Sequence, residues 1–260
     1  MMIEYIDLAR IPGYFLIVAR LAGFFMLVPF FSYRTIPMMY RVGFVFILAS
    51  IMYFTIDIPI LLFNGQYILL LVKEITIGLF IGLLAYIILS AVQIAGGFID
   101  FQMGFAIANV VDPQTGAQSP IIGQYFYIFA LLLLVVTDAH HLLIDGIFYS
   151  YQFIGLTDLI SIGSESFPSF IIKTFSSMFI IAFQMAIPIV GMLFLVDIAL
   201  GMIARTVPQV NVFVVGLPLK ILVSFTVILF FFSIFYMLTK NLFNYMFTAL
   251  RQLMELLGGA

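Results

Sequence analysis

Apolar residues run along this chain in long blocks with short polar interruptions, at 11–31, 42–63, 75–99, 120–137, 174–196 and 210–239. Read by hydropathy alone, the pattern predicts six membrane-crossing helices. The uncharged blocks that begin at Ile75 and Thr174 each exceed the ~20 residues needed to cross the hydrocarbon. The other blocks are compromised. Arg20 lies mid-block between Pro12 and Pro29, Asp57 interrupts the second, and Pro218 with Lys220 splits the last. A charge at a helix centre costs roughly 2.5–3.5 kcal/mol on the insertion scale, so each of these needs a partner or water. Residues 141–156 are too short and too interrupted by Asp145 and Gly146 to span, and read as a half-helix or interfacial segment. Lys and Arg are scattered singly, so loop charge sets no orientation.

The sharpest departure from the apolar pattern lies between Gly96 and Pro120. It holds two Asp, four amide side chains and Pro113 among Phe101, Met103, Phe105, Ile107, Val110 and Val111. Irregular backbone at membrane depth is tolerated only inside protein or beside a water-filled cavity, so this segment is expected there. From 101 to 108 bulky and small side chains alternate, which fits an extended strip; Phe101 and Phe105 at i, i+4 equally fit a short helix. Asp112-Pro113-Gln114-Thr115-Gly116 is a turn signal.

Composition agrees with the pattern. The 260 residues are 65% apolar and 8% charged, against roughly 25% charged in a soluble domain. This is the composition of an integral membrane protein. The net charge of -2 and the lack of a basic run argue against nucleic acid, and the absence of Cys removes disulfides and thiolate chemistry. No small-residue cleavage site follows the first apolar block, so that block is expected to stay.

Candidate chemistry is sparse. Asp138, His141 and Asp145 fall on one helical face, whereas the adjacent His140 and His141 are expected to point about 100° apart and not to chelate together. With no further His, neither a metal nor a cofactor is expected. Asp197 is the best buried carboxylate, with Arg205 two turns on, and an ion pair along that face or with a neighbour is expected. Gly78 and Gly82 form a small-xxx-small pair with Ala85 on the same face, a seam for a close-packed helix of this chain or of another subunit. Tyr33-Arg34-Thr35-Ile36-Pro37 and Ala204-Arg205-Thr206-Val207-Pro208 echo one another and are both expected at helix exits. No nucleophile–base pair or phosphate loop occurs, so no enzyme is expected.

The run from Ala91-Val92-Gln93-Ile94-Ala95-Gly96-Gly97 through Asp100-Phe101-Gln102-Met103-Gly104-Phe105 to Asn109-Val110-Val111-Asp112-Pro113-Gln114-Thr115-Gly116 resembles the FliR family of flagellar export-gate proteins, whose injectisome relatives are called SctT. Two further blocks agree with that family. One is 20–41, with Gly23, Pro29, Pro37 and Arg41; the other runs from Ala204 to Phe213 and on through Gly216, Pro218 and Lys220.

The resemblance implies an all-α membrane fold of broken helices and hairpins. It implies a FliP-like part over residues 1–200 and a FliQ-like hairpin over 201–260, with an internal plug loop at about 104–118. Phe105, Asn109, Asp112, Pro113, Gln114 and Gly116 are the plug-loop candidates it transfers, while Asp197, Arg205, Gly78 and Gly82 stand as structural residues. It further implies a gating subunit of the type III export gate, assembled with FliP and FliQ beside FlhB and FlhA. Unfolded flagellar proteins cross the inner membrane through that gate, within the basal body and partly raised toward the periplasmic side. No cofactor is implied. The alternative is a proton- or ion-coupled secondary transporter, which the broken helices and intramembrane carboxylates also suit; a third reading is a structural nucleator of the assembly.

Overall fold

Helices account for all the regular structure among the described residues of the computed structural model, which describes residues 10–32, 36–105, 120–158, 160, 166–207, 209 and 211–259. In chain order they are α1 (Ile11–Leu27), α2 (Met38–Tyr53), α3 (Gly65–Met103), α4 (Ile121–Val136), α5 (Ala139–Phe153), α6 (Ser166–Thr206) and α7 (Val212–Gly258). The all-α membrane fold is therefore seen, but the six-span reading is not. Among the described residues, three helices, α3, α6 and α7 from Val214, are long and apolar enough to cross a membrane, and the broken pair α4 and α5 adds up to one more.

Each correction has a local cause. Helix α1 stops at Leu27, just before Pro29, and α2 stops at Tyr53 before Asp57. At 1.5 Å per residue, helices of 17 and 16 residues reach only about 25 Å, short of the ~30 Å hydrocarbon core. The third block, which hydropathy starts at Ile75, begins ten residues earlier, so Lys73 and Glu74 lie inside α3 rather than before it. Pro218 does not split the last block: it lies within α7, in its second turn, where Lys220 is paired. Of the two echoed motifs, the second has Thr206 as the last residue of α6, whereas Pro37 of the first precedes the start of α2; residues 33–35 and Pro208 lie outside the described residues.

The chain forms two compact units. The first gathers the chain up to Ile88, Thr137–Thr174 and the chain from Asn244 onward; the second comprises Leu89–Val136 and Phe175–Phe243. In the first, α1 and α2 lie antiparallel, with Tyr14 meeting Tyr53 at 6.0 Å and Phe25 meeting Phe44 at 5.3 Å between ring centres. Arg20, Leu16, Ile17 and Phe24 are fully buried there. In the second, α4 and α7 are antiparallel, with Phe126 on Phe235 at 4.7 Å and Phe129 on Phe232 at 5.0 Å.

Much apolar surface is left uncovered by the chain itself. The most apolar stretch of α3 is 56% buried, but those of α6 and α7 are only 28% and 22% buried. Phe230 and Leu229 stand fully outward on α7. A helix apolar all round needs lipid or neighbouring protein on every side, so these two helices are built for a membrane or for other subunits.

Candidate functional site

The polar break begins where α3 ends, and the ending is built residue by residue. Gly104 takes φ +89, the left-handed conformation that only glycine adopts without strain. Its N–H donates to the Phe101 carbonyl at 3.2 Å, and the Phe105 N–H donates to the Asp100 carbonyl at 3.0 Å. This paired pattern is a Schellman motif, the common way a helix satisfies its last carbonyls. The next free carbonyl, of Gln102, accepts from Lys220 Nζ at 3.3 Å, an ammonium supplied by α7. Asp197 of α6 holds that ammonium at 2.5 Å through Oδ1, and its Oδ2 accepts from Gln102 Nε2 at 2.8 Å. Three helices are thus tied together at one turn, and Phe105, half-buried, is the first residue beyond it.

The far side of the break is anchored by the same turn of α3. The buried Asp100 carboxylate accepts from the N–H of Ile122 at 3.0 Å and of Gly123 at 3.4 Å, in the first turn of α4. Those N–H groups have no partner within their own helix, and a carboxylate there also meets the positive end of the helix dipole. Close approach permits it. A Cβ on Gly96 would strike the Gly123 backbone, and one on Gly123 would lie 2.9 Å from the Gln93 carbonyl.

Of the sequence-derived plug-loop candidates, the structure places Phe105; Asn109, Asp112, Pro113, Gln114 and Gly116 lie outside the described residues. The extended-strip reading of 101–108 gives way over its first three residues, which continue α3 as helix through Met103. Asp197 finds its neighbour in Lys220 rather than along its own face, and Arg205 is exposed at the end of α6. Lys220 read in sequence as a flaw in a span; its partner was not legible.

In the first unit, Gly78 and Gly82 pack within this chain. A Cβ on Gly78 would run into the Arg20 carbonyl, and one on Gly82 would lie 2.8 Å from the Phe24 carbonyl. That closeness brings Arg20 to Glu74. The Arg20 guanidinium gives Nη2 to Glu74 Oε1 at 2.9 Å and Nε to Oε2, while Nη1 reaches Ser150 Oγ and Nη2 also reaches the Ile154 carbonyl, each at 2.9 Å. Lys73 bonds Glu74 at 2.7 Å and the carbonyls of Gly155 and Leu156 at 2.8 and 2.9 Å. The guanidinium also lies 3.7 Å above the Tyr151 ring, a cation–π contact. Sequence reading flagged Arg20 but missed Lys73 and Glu74, whose adjacency inside an apolar stretch was the available signal.

His140 and His141 do come together, against expectation. Both residues are helical, in the first turn of α5 just after Asp138 at φ 57, so the side chains rather than the backbone bring the rings together. Their rings are 4.0 Å apart, and one ligand atom from each of Asp138, His140 and His141 lies within 4.8 Å of the others. Asp138 and His141 are largely exposed.

The helices and their internal charge pairs define an integral membrane protein that passes long, sparsely buried helices to lipid or to partners. The family model for bacterial export proteins, family 1, matches residues 11–246, and the chain belongs to that family. It is similar to the flagellar biosynthetic protein FliR of Bacillus subtilis, with 52% identity over 95% of this chain and 96% of the relative. It is also similar to FliR of Escherichia coli, at 26% identity over 93% and 92% of the two chains. The Yop proteins translocation protein T of Yersinia pestis is 29% identical over 82% of this chain and 84% of its own. Flagellar biosynthesis and type III secretion thus meet in the chain's relatives.

Proposed function

We propose that this chain is a structural and gating subunit of a flagellar type III export gate, which forms with FliP and FliQ the channel that carries unfolded flagellar proteins across the inner membrane. The observation that carries the reading is the 52% identity, over nearly the full length of both chains, to a protein named for flagellar biosynthesis. The sparse burial of α6 and α7 supports it, because such helices suit a subunit with several protein neighbours. Residues 1–200 serve as the FliP-like part and 201–260 as the FliQ-like hairpin, with FlhB and FlhA adjoining and the core partly raised toward the periplasmic side.

The plug loop, at about 104–118, closes the passage. Phe105 supplies apolar contact at its base, and Asn109, Asp112, Pro113, Gln114 and Gly116 supply a polar turn that keeps the closure reversible. A passage for unfolded chains of any sequence calls for soft, weakly binding walls, which Phe and Met provide. No bond is made or broken by this subunit in that scheme. The transporter alternative has less support, because Arg20, Glu74, Asp100 and Asp197 each serve a structural partner.

Two experiments test the proposal. Mass analysis of the native complex extracted in detergent is expected to find FliP and FliQ with this chain. Because the chain lacks Cys, Asn109→Cys or Gln114→Cys is expected to cross-link to a stalled export substrate. Cross-links confined to helix faces, and never at the loop, would instead favour a scaffold role.

A further inference from the structure

We infer that Lys220 and Asp197 are positioning residues for Phe105: they lock the last turn of α3 and so set where the gating phenylalanine stands. The inference rests on the reading of Phe105 as the base of the plug. Its own evidence is an account of the last carbonyls of α3. Those of Asp100 and Phe101 accept from the backbone N–H groups of Phe105 and Gly104. The carbonyl of Gln102 has no such donor from the motif and takes the ammonium of Lys220 at 3.3 Å. Helix carbonyl ends carry partial negative charge, so a cation is favoured at that point.

An ammonium on an apolar helix is costly unless it is neutralised, and Asp197 does this at 2.5 Å. The amide of Gln102 then closes a ring of three interactions by donating to the same carboxylate at 2.8 Å. Each bond joins a different pair of helices: α7 to α6, α7 to α3 and α3 to α6. The Lys220 and Asp197 side chains remain 19% and 37% exposed, so the ring is accessible to water and can open without the core unfolding. One turn away, Leu217 of α7 would lie 3.0 Å from a Cβ on Gly104, so α7 leaves room only for glycine at the residue that turns the chain toward Phe105. A shift of α6 against α7 is thereby transmitted to Phe105 through a single hydrogen-bonded turn.

The test uses Phe105→Cys in the full-length chain in native membranes, labelled with a membrane-permeant maleimide, and Ala130→Cys as a buried reference in the same unit. In this background Lys220→Met and, as a milder change, Asp197→Asn are expected to speed labelling at position 105 by about tenfold to a hundredfold, the factor that a hydrogen bond to a charged group carries in local opening. Labelling at position 130 stays slow in both, and Lys220→Arg restores the slow rate at 105. An unchanged rate at 105 in both variants overturns the inference, as does an equal rise at 105 and 130, which would mean general loosening. Cross-linking of Phe105→Cys to a stalled substrate in the otherwise unaltered chain is the separate measure. Its failure removes the gate reading and leaves the positioning result standing.

Discussion

Replacing Glu74 with Gln removes a carboxylate bonded to two buried cations. Arg20 and Glu74 have fully buried side chains, and Lys73 is 6% exposed. Breaking a buried pair by deleting one partner costs about 3–5 kcal/mol, because the remaining charge is stranded away from water. Here two charges are stranded, which pushes toward the upper end. Against that, Arg20 keeps Ser150 and the Ile154 carbonyl, and Lys73 keeps the carbonyls of Gly155 and Leu156. The expected loss is therefore about 3–5 kcal/mol rather than more. For a domain of this size each kcal/mol moves the melting midpoint by about 2–4 °C, giving a fall of roughly 6–20 °C. Thermal unfolding of the purified chain in mild detergent, followed by circular dichroism, reads this directly. The triple change Arg20→Met, Lys73→Met, Glu74→Leu is expected to recover most of the loss, since removing all the charges leaves none unpaired. A fall of less than about 2 °C in Glu74→Gln, on the same scale of a few degrees per kcal/mol, would show that the network is not a keystone of the first unit.

Gly78→Ala is expected to destabilise by at least about 1–3 kcal/mol in the same melting assay, because its methyl meets the backbone of α1 rather than a flexible side chain. Gly43→Ala, where nothing lies within 4 Å, is the matched control and is expected to be neutral or to stabilise by up to about 1 kcal/mol. Asp100→Ala is expected to cost about 0.5–2 kcal/mol, the usual value of a lost cap, and to speed hydrogen exchange at the Ile122 and Gly123 amides before the rest of α4. Gly104→Ala forces a methyl into a left-handed residue and against Leu217, so a loss of about 1 kcal/mol or more is expected, with faster exchange at the Phe105 amide.

How far these features were legible depends on how local their causes are. The cores of α3 and α6 were plain because twenty or more uncharged apolar residues admit few alternatives. The extents of α1 and α2 were overdrawn because hydropathy registers oiliness but not the turn of the backbone before Pro29 and Asp57. The glycine seam was visible as spacing, yet its partner was not: Gly78 meets Arg20, far away in the chain. The histidine argument failed because backbone spacing does not fix side-chain direction: both residues are helical, yet their rings lie 4.0 Å apart.

Charge was the hardest to read, and for one physical reason. In an apolar chain each charge must find a partner, but the partner is chosen by the packing of helices and not by distance along the sequence. Arg20 reaches Glu74 across 54 positions and Ser150 across 130, and Gln102 reaches Asp197 across 95. Seen singly, Lys73, Glu74 and Lys220 look like places where spans fail. Seen paired, they mark where helices must cross, because an ion pair withdrawn from water is tolerable only at the one alignment that satisfies it. The same logic explains why the turn before Phe105 carries Asp100, Gln102, Asp197 and Lys220 together. A segment that leaves an oily helix needs its last carbonyls and its re-entry amides satisfied at the point of departure; here the carbonyls are met by the backbone of the Gly104 turn and by Lys220, and the amides by Asp100.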